Sequence, residues 1–401
     1  MTQAATRPLA ELATADPARY AIGGAAPRFA ARPALREAVV ELVAAAALDR
    51  LAIVPWGGGV ALPHETTPGR YDLAVDLTAL DRVIEHDPED QTLTAECGVT
   101  IATLRRRLAA HRQELPLEAA HADRATLGGA LAANASGPRR LRFGSPRDRI
   151  LGARFALADG TFARSGGKVV KNVAGYGIHR LLCGSRGWLA LILEASLKLA
   201  PAPEHRVALV YAVDRATLLD GARWAFLPRL EPAFVTVVSE ALTRAIGVSS
   251  GAAFSVIVGL EDDRPWVAQQ EAAVAKVIGA PVARLEDDEA GALVQRLADL
   301  EEADAARRTF TTRGNTPGAL GPIAASLGDR FVFHAPAGRL HVFGERPLAT
   351  PASLTRIDAR GAGTAADTTA SATGVTALRA RIRAALDPGK ALALGDRWTG
   401  M

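Results

Sequence analysis

Residues 53–60 read "IVPWGGGV", a short apolar run that passes straight into three consecutive glycines. An apolar run of this length suits a buried β-strand. Gly57, Gly58 and Gly59 let the following backbone curl, so that successive N–H groups point into one concavity. Such a nest holds phosphate oxygens with no cation. Alone, a glycine triplet is more often a plain turn. It is not a G-x-G-x-x-G fingerprint, and no G-x-x-x-x-G-K-[ST] occurs in the chain. Rossmann and P-loop readings therefore lack support.

Working outward, the flanks alternate between helix and strand. Residues 34–48 carry Val39, Leu42 and Val43 at helical spacing and end at Asp49-Arg50. "YDLAVDL", "RVIEHD" and "TLTAECGV" read as strands, with a turn at Asp87-Pro88. Thr100 is placed to cap a helix over 101–111. Then comes "TLGGALAANASGPRRLRFGSPRD" (126–148), whose small residues let backbone approach a flat ligand closely. Asn134 and Ser136 offer hydrogen-bonding side chains there, and Arg142 and Arg147 offer charge. Tight packing of a helix start explains the same glycines equally well. A third stretch, "GGKVVKNVAGYGIHRLLCGSRGWLALILEASLKLAP" (166–201), holds a short helix at 178–183, a Gly184–Gly187 turn and an apolar strand.

Pro201 and Pro203 mark a stiff connector and a domain boundary. Beyond it the pattern predicts strand 207–213, helix 215–226, strands 233–239 and 253–260, helices 265–278 and 286–303, and two strands around 331–344. Residues 346–374 are short of bulky apolar side chains and read as loop or poorly ordered connector. A helix over 375–387 closes the chain. The expected organisation is one domain over 1–201, an α+β cap of ferredoxin-like type over 202–374, and a segment 375–401 returning to the first domain.

Composition excludes several classes. A chain of 401 residues is too long for one ordinary core. With 47 basic against 43 acidic residues the net charge is only +4, no Lys/Arg block stands out, and nucleic-acid binding is a poor fit. No run approaches the eighteen apolar residues of a membrane span, and "MTQAATRPLAELATAD" lacks signal-peptide character. The expected location is the cytoplasm, with peripheral placement at the inner membrane face through partners. Cys97 and Cys183 suit a reducing compartment and cannot by themselves hold a four-thiolate iron–sulfur cluster.

The joint order of motifs across 53–201 resembles the FAD-binding domain of the vanillyl-alcohol oxidase / p-cresol methylhydroxylase superfamily. "GGKVVKNVAGYGIHRLLCGSRG" closely resembles the FAD-binding subunits of bacterial glycolate oxidases. The resemblance implies an α+β protein: a two-subdomain PCMH-type FAD-binding domain and a smaller cap. It places Pro55, Trp56, Gly57, Gly58, Gly59 and Val60 along the pyrophosphate. Thr126, Gly128, Gly129, Asn134, Ser136 and Gly137 would line the flavin and its linker, and Ile192 would meet the adenine through backbone groups. The chain departs from the family pattern at Gly177, at Trp188 to Ala190 and at Leu193. Relatives with tethered flavin carry a His beside the pyrophosphate loop; Val60-Ala61-Leu62 stands here, so non-covalent FAD is expected.

By the same resemblance the chemistry is oxidation of a small 2-hydroxy acid, glycolate to glyoxylate. Electrons would leave through a second flavoprotein subunit and an iron–sulfur subunit. An autonomous FAD-dependent 2-hydroxy-acid dehydrogenase and a flavin-free assembly scaffold are the alternatives. Metal-dependent relatives carry H-x-G-D-G-N-L-H followed by E-H-G-x-G. Here "HAPAGRLH" (334–341) keeps the two histidines, but no Glu-His-Gly follows. Two imidazoles without a carboxylate make a weak metal site, and continuous β-geometry would put residues seven apart on opposite faces unless the Pro/Gly break intervenes. No metal is expected there. Tyr176, His179, His334 and His341 are candidates for the base, and none is singled out.

Overall fold

The strand Ile53–Trp56 lies parallel to Leu73–Asp76, which pairs on its other edge with Phe29–Ala31 in the same sense. These are features of a computed structural model that describes residues 7–62, 69–168, 176–248, 250–302, 307–312, 316–323, 330–335, 337–343, 354–359 and 373–392. The helix Arg36–Leu48 buries Val39, Leu42 and Val43 in one core with Ile53, Leu73 and Val75. That is the face its i, i+3, i+4 spacing dictates.

The C-terminal helix Thr373–Leu386 leads into a clip on this sheet. Leu392 bridges Ile53 in parallel, and the Ile53 N–H donates to the Ala391 carbonyl at 2.5 Å. Asp387, 1% exposed, fixes the clip by accepting from the N–H groups of Ala391 (2.7 Å) and Leu392 (3.1 Å). A second, antiparallel sheet runs in the order Val83–Asp87, Thr92–Glu96, Leu191–Lys198, Ile150–Ala156, Phe162–Gly166. Its central strand Leu191–Lys198 is buried on both faces, which explains the apolar run "LALIL" (189–193) that leads into it.

The chain divides into two compact units. One comprises residues 1–135, 145–201 and 371–401, and the other 136–144 and 202–370. The second unit is built on an antiparallel sheet of eight strands among the described residues. Its order is Ala283–Glu286, His205–Val213, Phe254–Asp262, Phe234–Ser239, Phe331–His334, Arg339–Phe343, Arg307–Thr312, Leu354–Ala359. Alternation assigns Val207, Leu209, Val235, Val237, Phe331 and Phe333 to one core, completed by Val267 and Val274 of helix Arg264–Ile278. Ala208, Val210, Phe234, Val238 and Val332 belong to the other, under Leu293, Val294 and Leu297 of helix Asp287–Glu302.

The α+β class holds, and the second unit's sheet is larger than the sequence pattern indicates. Within 346–374, read as loop, Leu354–Ala359 is a strand paired antiparallel with Arg307–Thr312. It is an edge strand whose sequence, "LTRIDA", separates its two bulky apolar residues with Thr355 and Arg356, so no apolar run announces it. Ala283–Glu286, at the opposite edge, alternates half-buried and exposed positions and went unread for the same reason. No helix of the described residues is long and apolar enough to cross a membrane.

Candidate functional site

The glycines after Trp56 are pressed against residues 124–126. A Cβ on Gly57 would run into the Thr126 hydroxyl, and one on Gly58 into the Arg124 carbonyl, so no side chain fits. The Arg124 guanidinium donates to the Gly58 carbonyl at 3.3 Å. On the far side, Gly187 adopts φ +77°, and a Cβ there would lie 2.6 Å from the Pro55 ring. Val60 packs at the margin of the core under the five-stranded sheet.

The Trp56 side chain is engaged elsewhere. Its indole N–H donates to the Tyr71 hydroxyl (2.6 Å), Tyr71 donates to the Tyr20 carbonyl (2.7 Å), and Tyr20 donates to Asp76 (2.8 Å). Burial first, then the bond to Asp76, pushes the Tyr20 phenol up to about 12; burial raises Tyr71 as well. Both therefore stay protonated donors, and the chain of bonds pins the strand that carries the nest. What residues 56–60 offer a ligand is backbone.

Thr126 caps the helix Leu127–Ala133, its hydroxyl accepting from Gly129 N at 3.2 Å. Gly128 lies on Cys97: its N–H donates to the Cys97 carbonyl at 2.8 Å, and a Cβ would sit 2.8 Å from that residue's own Cβ. The helix ends at Asn134 in the left-handed region, φ 52°. The Gly184–Arg186 turn is laced to this end, Gly184 N donating to the Leu131 carbonyl (3.1 Å) and Arg186 N to that of Ala132 (2.8 Å). Two polar atoms buried in these segments, Asn134 Oδ1 and Ser185 Oγ, have no hydrogen-bond partner among the described residues. Each such atom costs about 1–3 kcal/mol when left unpaired. Ile192 is buried in the strand Leu191–Lys198, opposite Phe155, where the pairing register shifts.

Ser136 and Gly137 belong to the second unit. There the Ser136 hydroxyl accepts from both Arg140 Nη1 (2.8 Å) and Arg339 Nη1 (2.7 Å). Arg139 is ion-paired with buried Glu261 at 3.2 Å. Arg142 donates to the Glu261 carbonyl and to Asp262, the latter at 2.9 Å. Arg147 is exposed. The two histidines of "HAPAGRLH" are on adjacent strands of a hairpin, each 1% exposed, with ring centroids 5.7 Å apart. The turn brings them to one face, as only a break in the strand could. His334 Nδ1 is bonded to the Thr236 hydroxyl (2.9 Å), and His341 Nδ1 to that of Thr309 (3.1 Å).

Of the remaining titratable candidates, Tyr176 is 90% exposed. His179 is buried with Nδ1 3.0 Å from the Ser165 hydroxyl, and burial, with Arg180 nearby, lowers its pKa. The neighbouring "VVKNVAG" (169–175) lies outside the described residues.

Residues 27–166 match the family described as the FAD binding domain. The chain as a whole is similar in fold to p-cresol methylhydroxylase solved with substrate bound: TM-score 0.70 at 16% identity, over 92% of this chain and 88% of that one. In sequence it is similar to glycolate oxidase subunit GlcD of Bacillus subtilis, 35% identical over 161 residues (40% of this chain, 34% of that protein). It is likewise similar to glycolate oxidase subunit GlcE of Escherichia coli, 35% identical over 156 residues (38% and 45%). Proteins named D-lactate dehydrogenase and D-2-hydroxyglutarate dehydrogenase match as well. The chain spans less than half the length of the first of these curated relatives.

The residues of the FAD-binding domain fit FAD. The glycine cradle admits no Cβ, and the two orphaned polar atoms are of the kind a cofactor satisfies. Ser185, whose Oγ is one of these two atoms, lies between two glycines in "GSRG" (184–187), where nothing in the sequence marks it as buried.

Proposed function

We propose that this chain is the FAD-binding subunit of a glycolate oxidase-type complex, oxidising glycolate to glyoxylate and passing electrons to a second flavoprotein subunit and an iron–sulfur subunit. The carrying observation is the FAD-binding domain whose sequence is 35% identical to two glycolate oxidase subunits. FAD is held non-covalently in this reading, because Val60, Ala61 and Leu62 after the nest offer no nucleophile for a tether. The site residues are Pro55–Val60, Thr126, Gly128, Gly129, Asn134, Ser136, Gly137 and Ile192, to which Ser185 is added. The domain scheme 1–201, 202–374 and 375–401 is retained as a functional division.

Bound FAD supplies the acceptor for the hydride on the α-carbon of a 2-hydroxy acid. The chain's own tasks are to bind and to orient. Amides of Gly57 to Gly59 hold diphosphate oxygens, as a nest does. Asn134 and Ser185 give the cofactor directional hydrogen bonds. A base takes the hydroxyl proton.

The test is purification of the tagged full chain from its native cells, with flavin, iron and co-purifying proteins counted. The reading expects yellow protein that releases intact FAD on acid precipitation, and recovery of a second flavoprotein with an iron–sulfur protein. Colourless protein that FAD cannot reconstitute overturns it. Oxidation of glycolate or lactate with a dye acceptor by the isolated chain favours the autonomous dehydrogenase instead.

A further inference from the structure

At one edge of the eight-stranded sheet, Ala283–Glu286 pairs antiparallel with His205–Val213, and Glu286 stands opposite Val207. Directly paired residues share a face of the sheet, and so do residues two apart on one strand. Glu286 is therefore on the face of His205, one diagonal step away. The residue after it would ordinarily point to the other face. Instead Asp287 takes φ 41°, in the left-handed region, where the chain leaves the strand for the helix Asp287–Glu302. The turn brings its carboxylate to the same imidazole. His205 Nδ1 is 2.8 Å from Asp287 Oδ1, which also accepts from the Arg206 N–H at 3.0 Å. One donor atom from each of His205, Glu286 and Asp287 lies within 4.8 Å of the others. All three residues belong to the second unit.

The bond to Asp287 decides which ring nitrogen is available. An ionised carboxylate only accepts, so Nδ1 donates, and the neutral ring carries its lone pair on Nε2. The His205 side chain is 6% exposed, and its Nε2 makes no hydrogen bond among the described residues. What faces Nε2 is the half-exposed Glu286 carboxylate, with Oε2 at 4.0 Å. Two acceptors thus face each other, too far apart for a hydrogen bond and close enough for one cation to ligate both. Metal–nitrogen and metal–oxygen bonds of about 2.0–2.2 Å each reach across, and Glu286 has room to swing inward for a bent angle. A carboxylate on the opposite ring nitrogen is the usual partner of a metal-ligating histidine. The surrounding charge favours a cation as well. Arg264 lies 3.6 Å from Glu204 and 3.7 Å from Asp287 Oδ2, and Arg284 binds Glu286 Oε1. Glu204, Glu286 and Asp287, with Asp288 and Glu289 of the first helical turn, outnumber these two arginines and offset the positive end of the helix.

We propose that His205, Glu286 and Asp287 form a site for a divalent transition-metal ion, with His205 Nε2 and Glu286 Oε2 on the metal, Asp287 orienting the ring, and water on the remaining positions. The proposal goes beyond the reading given under Proposed function and does not depend on it. An imidazole with carboxylates suits zinc, whereas magnesium and calcium take oxygen ligands. The ion acts as a staple. It ties the strand that follows the Pro201–Pro203 connector to the start of a helix 82 residues further on. It also pins Ala283–Glu286, a four-residue edge strand that pairs on one side only among the described residues.

The test uses the full-length chain without an affinity tag, stripped with a chelator that is then removed, and titrated near neutral pH with zinc alone. Calorimetry gives affinity and stoichiometry, and elemental analysis counts the metal retained. Wild type is expected to take up a zinc ion that raises its melting temperature, and to take up no magnesium. Glu286→Gln and His205→Gln are each expected to lose that ion and the rise in melting temperature. Asp287→Asn keeps an acceptor for the Nδ1–H and the Arg206 N–H but loses the charge, and is expected to weaken zinc binding by about 10–100-fold. Zinc bound elsewhere on the chain survives in all three variants and is subtracted. Circular dichroism reports folding, and Glu286→Gln, a change in a half-exposed side chain, keeps the test decisive if His205→Gln does not fold. The site is overturned if wild type takes up no zinc that folded Glu286→Gln lacks, or if magnesium binds as well as zinc does. A wild type indifferent to zinc, whose melting temperature nevertheless falls in Glu286→Gln, would mark a plain imidazolium–carboxylate pair and overturn it too.

Discussion

The glycine nest of the first unit and the polar hairpin face of the second are built in opposite ways. At the nest, side chains are excluded: Gly57 and Gly58 have no room for a Cβ, and Trp56 is tied into the tyrosine chain behind the strand. What remains for a ligand is main-chain N–H. At the hairpin face the backbone is fully occupied in the sheet, and everything offered is side chain: Thr236, His334, Arg339, His341 and Thr309. A backbone-made site tolerates no substitution of its glycines but is indifferent to side-chain chemistry. A side-chain-made site is graded, since each replacement keeps or loses a defined part of charge and shape.

The largest expected effect concerns what holds the nest in place. Asp387 is buried, accepts two main-chain N–H bonds and lies 3.8 Å from Arg383. Asp387→Ala removes the acceptor of both amides and the carboxylate beside Arg383. A loss of about 3–5 kcal/mol is expected, seen as a fall of about 10 °C in the melting temperature. A two-step melt in which only the first transition moves would sharpen the contrast between the units; an unchanged melting curve would break it.

Next, Gly58→Val forces a branched side chain against the Arg124 carbonyl. Overpacking of this kind costs about 1–3 kcal/mol. If that cost falls on the flavin-bound form, flavin affinity, by titration of the apoprotein, is expected to weaken about 5–150-fold, with a lower visible-to-ultraviolet absorbance ratio in the purified protein. Retention of full flavin would show that the nest does not contact the cofactor.

Ser185→Ala is a finer probe. Its hydroxyl has no partner among the described residues, so its removal is expected to leave melting unchanged or raise it slightly, since an unpaired buried polar group costs about 1–3 kcal/mol. Flavin affinity, by fluorescence titration of the apoprotein, is expected to drop about tenfold, one charge-free hydrogen bond's worth. A drop in stability with no change in flavin affinity would mark the serine as structural.

The smallest effect is in pH. Burial lowers the His179 pKa, so the unfolded ring takes up a proton near pH 6.5 while the folded ring resists it to lower pH. Stability from this group is present above about pH 6.5 and is lost as pH falls through the depressed folded value. His179→Gln is expected to flatten the acid limb of the melting-temperature profile below about pH 6.5. An acid limb of unchanged slope would show that other groups set it.

The same contrast decides what could be read from the sequence. Glycines at a close approach are visible as letters, and so "WGGG" marks a place where the backbone has no room for a side chain. Thr100 likewise announces its helix cap. The hairpin face was illegible. Its residues come from four strands, and their shared face depends on a register fixed only when the whole sheet assembles. Ser136 shows the limit most clearly. The resemblance assigns it to the flavin, yet in the fold its hydroxyl is bonded to Arg140 and Arg339 of the second unit. Leu354–Ala359 escaped because an edge strand can be polar throughout, whereas Leu191–Lys198, buried on both faces, could not hide.

The clip at Leu392 has a consequence in time. The strand that leads into the glycines is synthesised before the second unit, and one of its neighbours, Ala391 to Leu392, after it. On the ribosome Ile53 therefore waits for its final bond while the second unit is made. Stalled nascent chains ending before Asp387 are expected to leave residues near Ile53 open to protease, and chains extended past Leu392 and clear of the exit tunnel to close them.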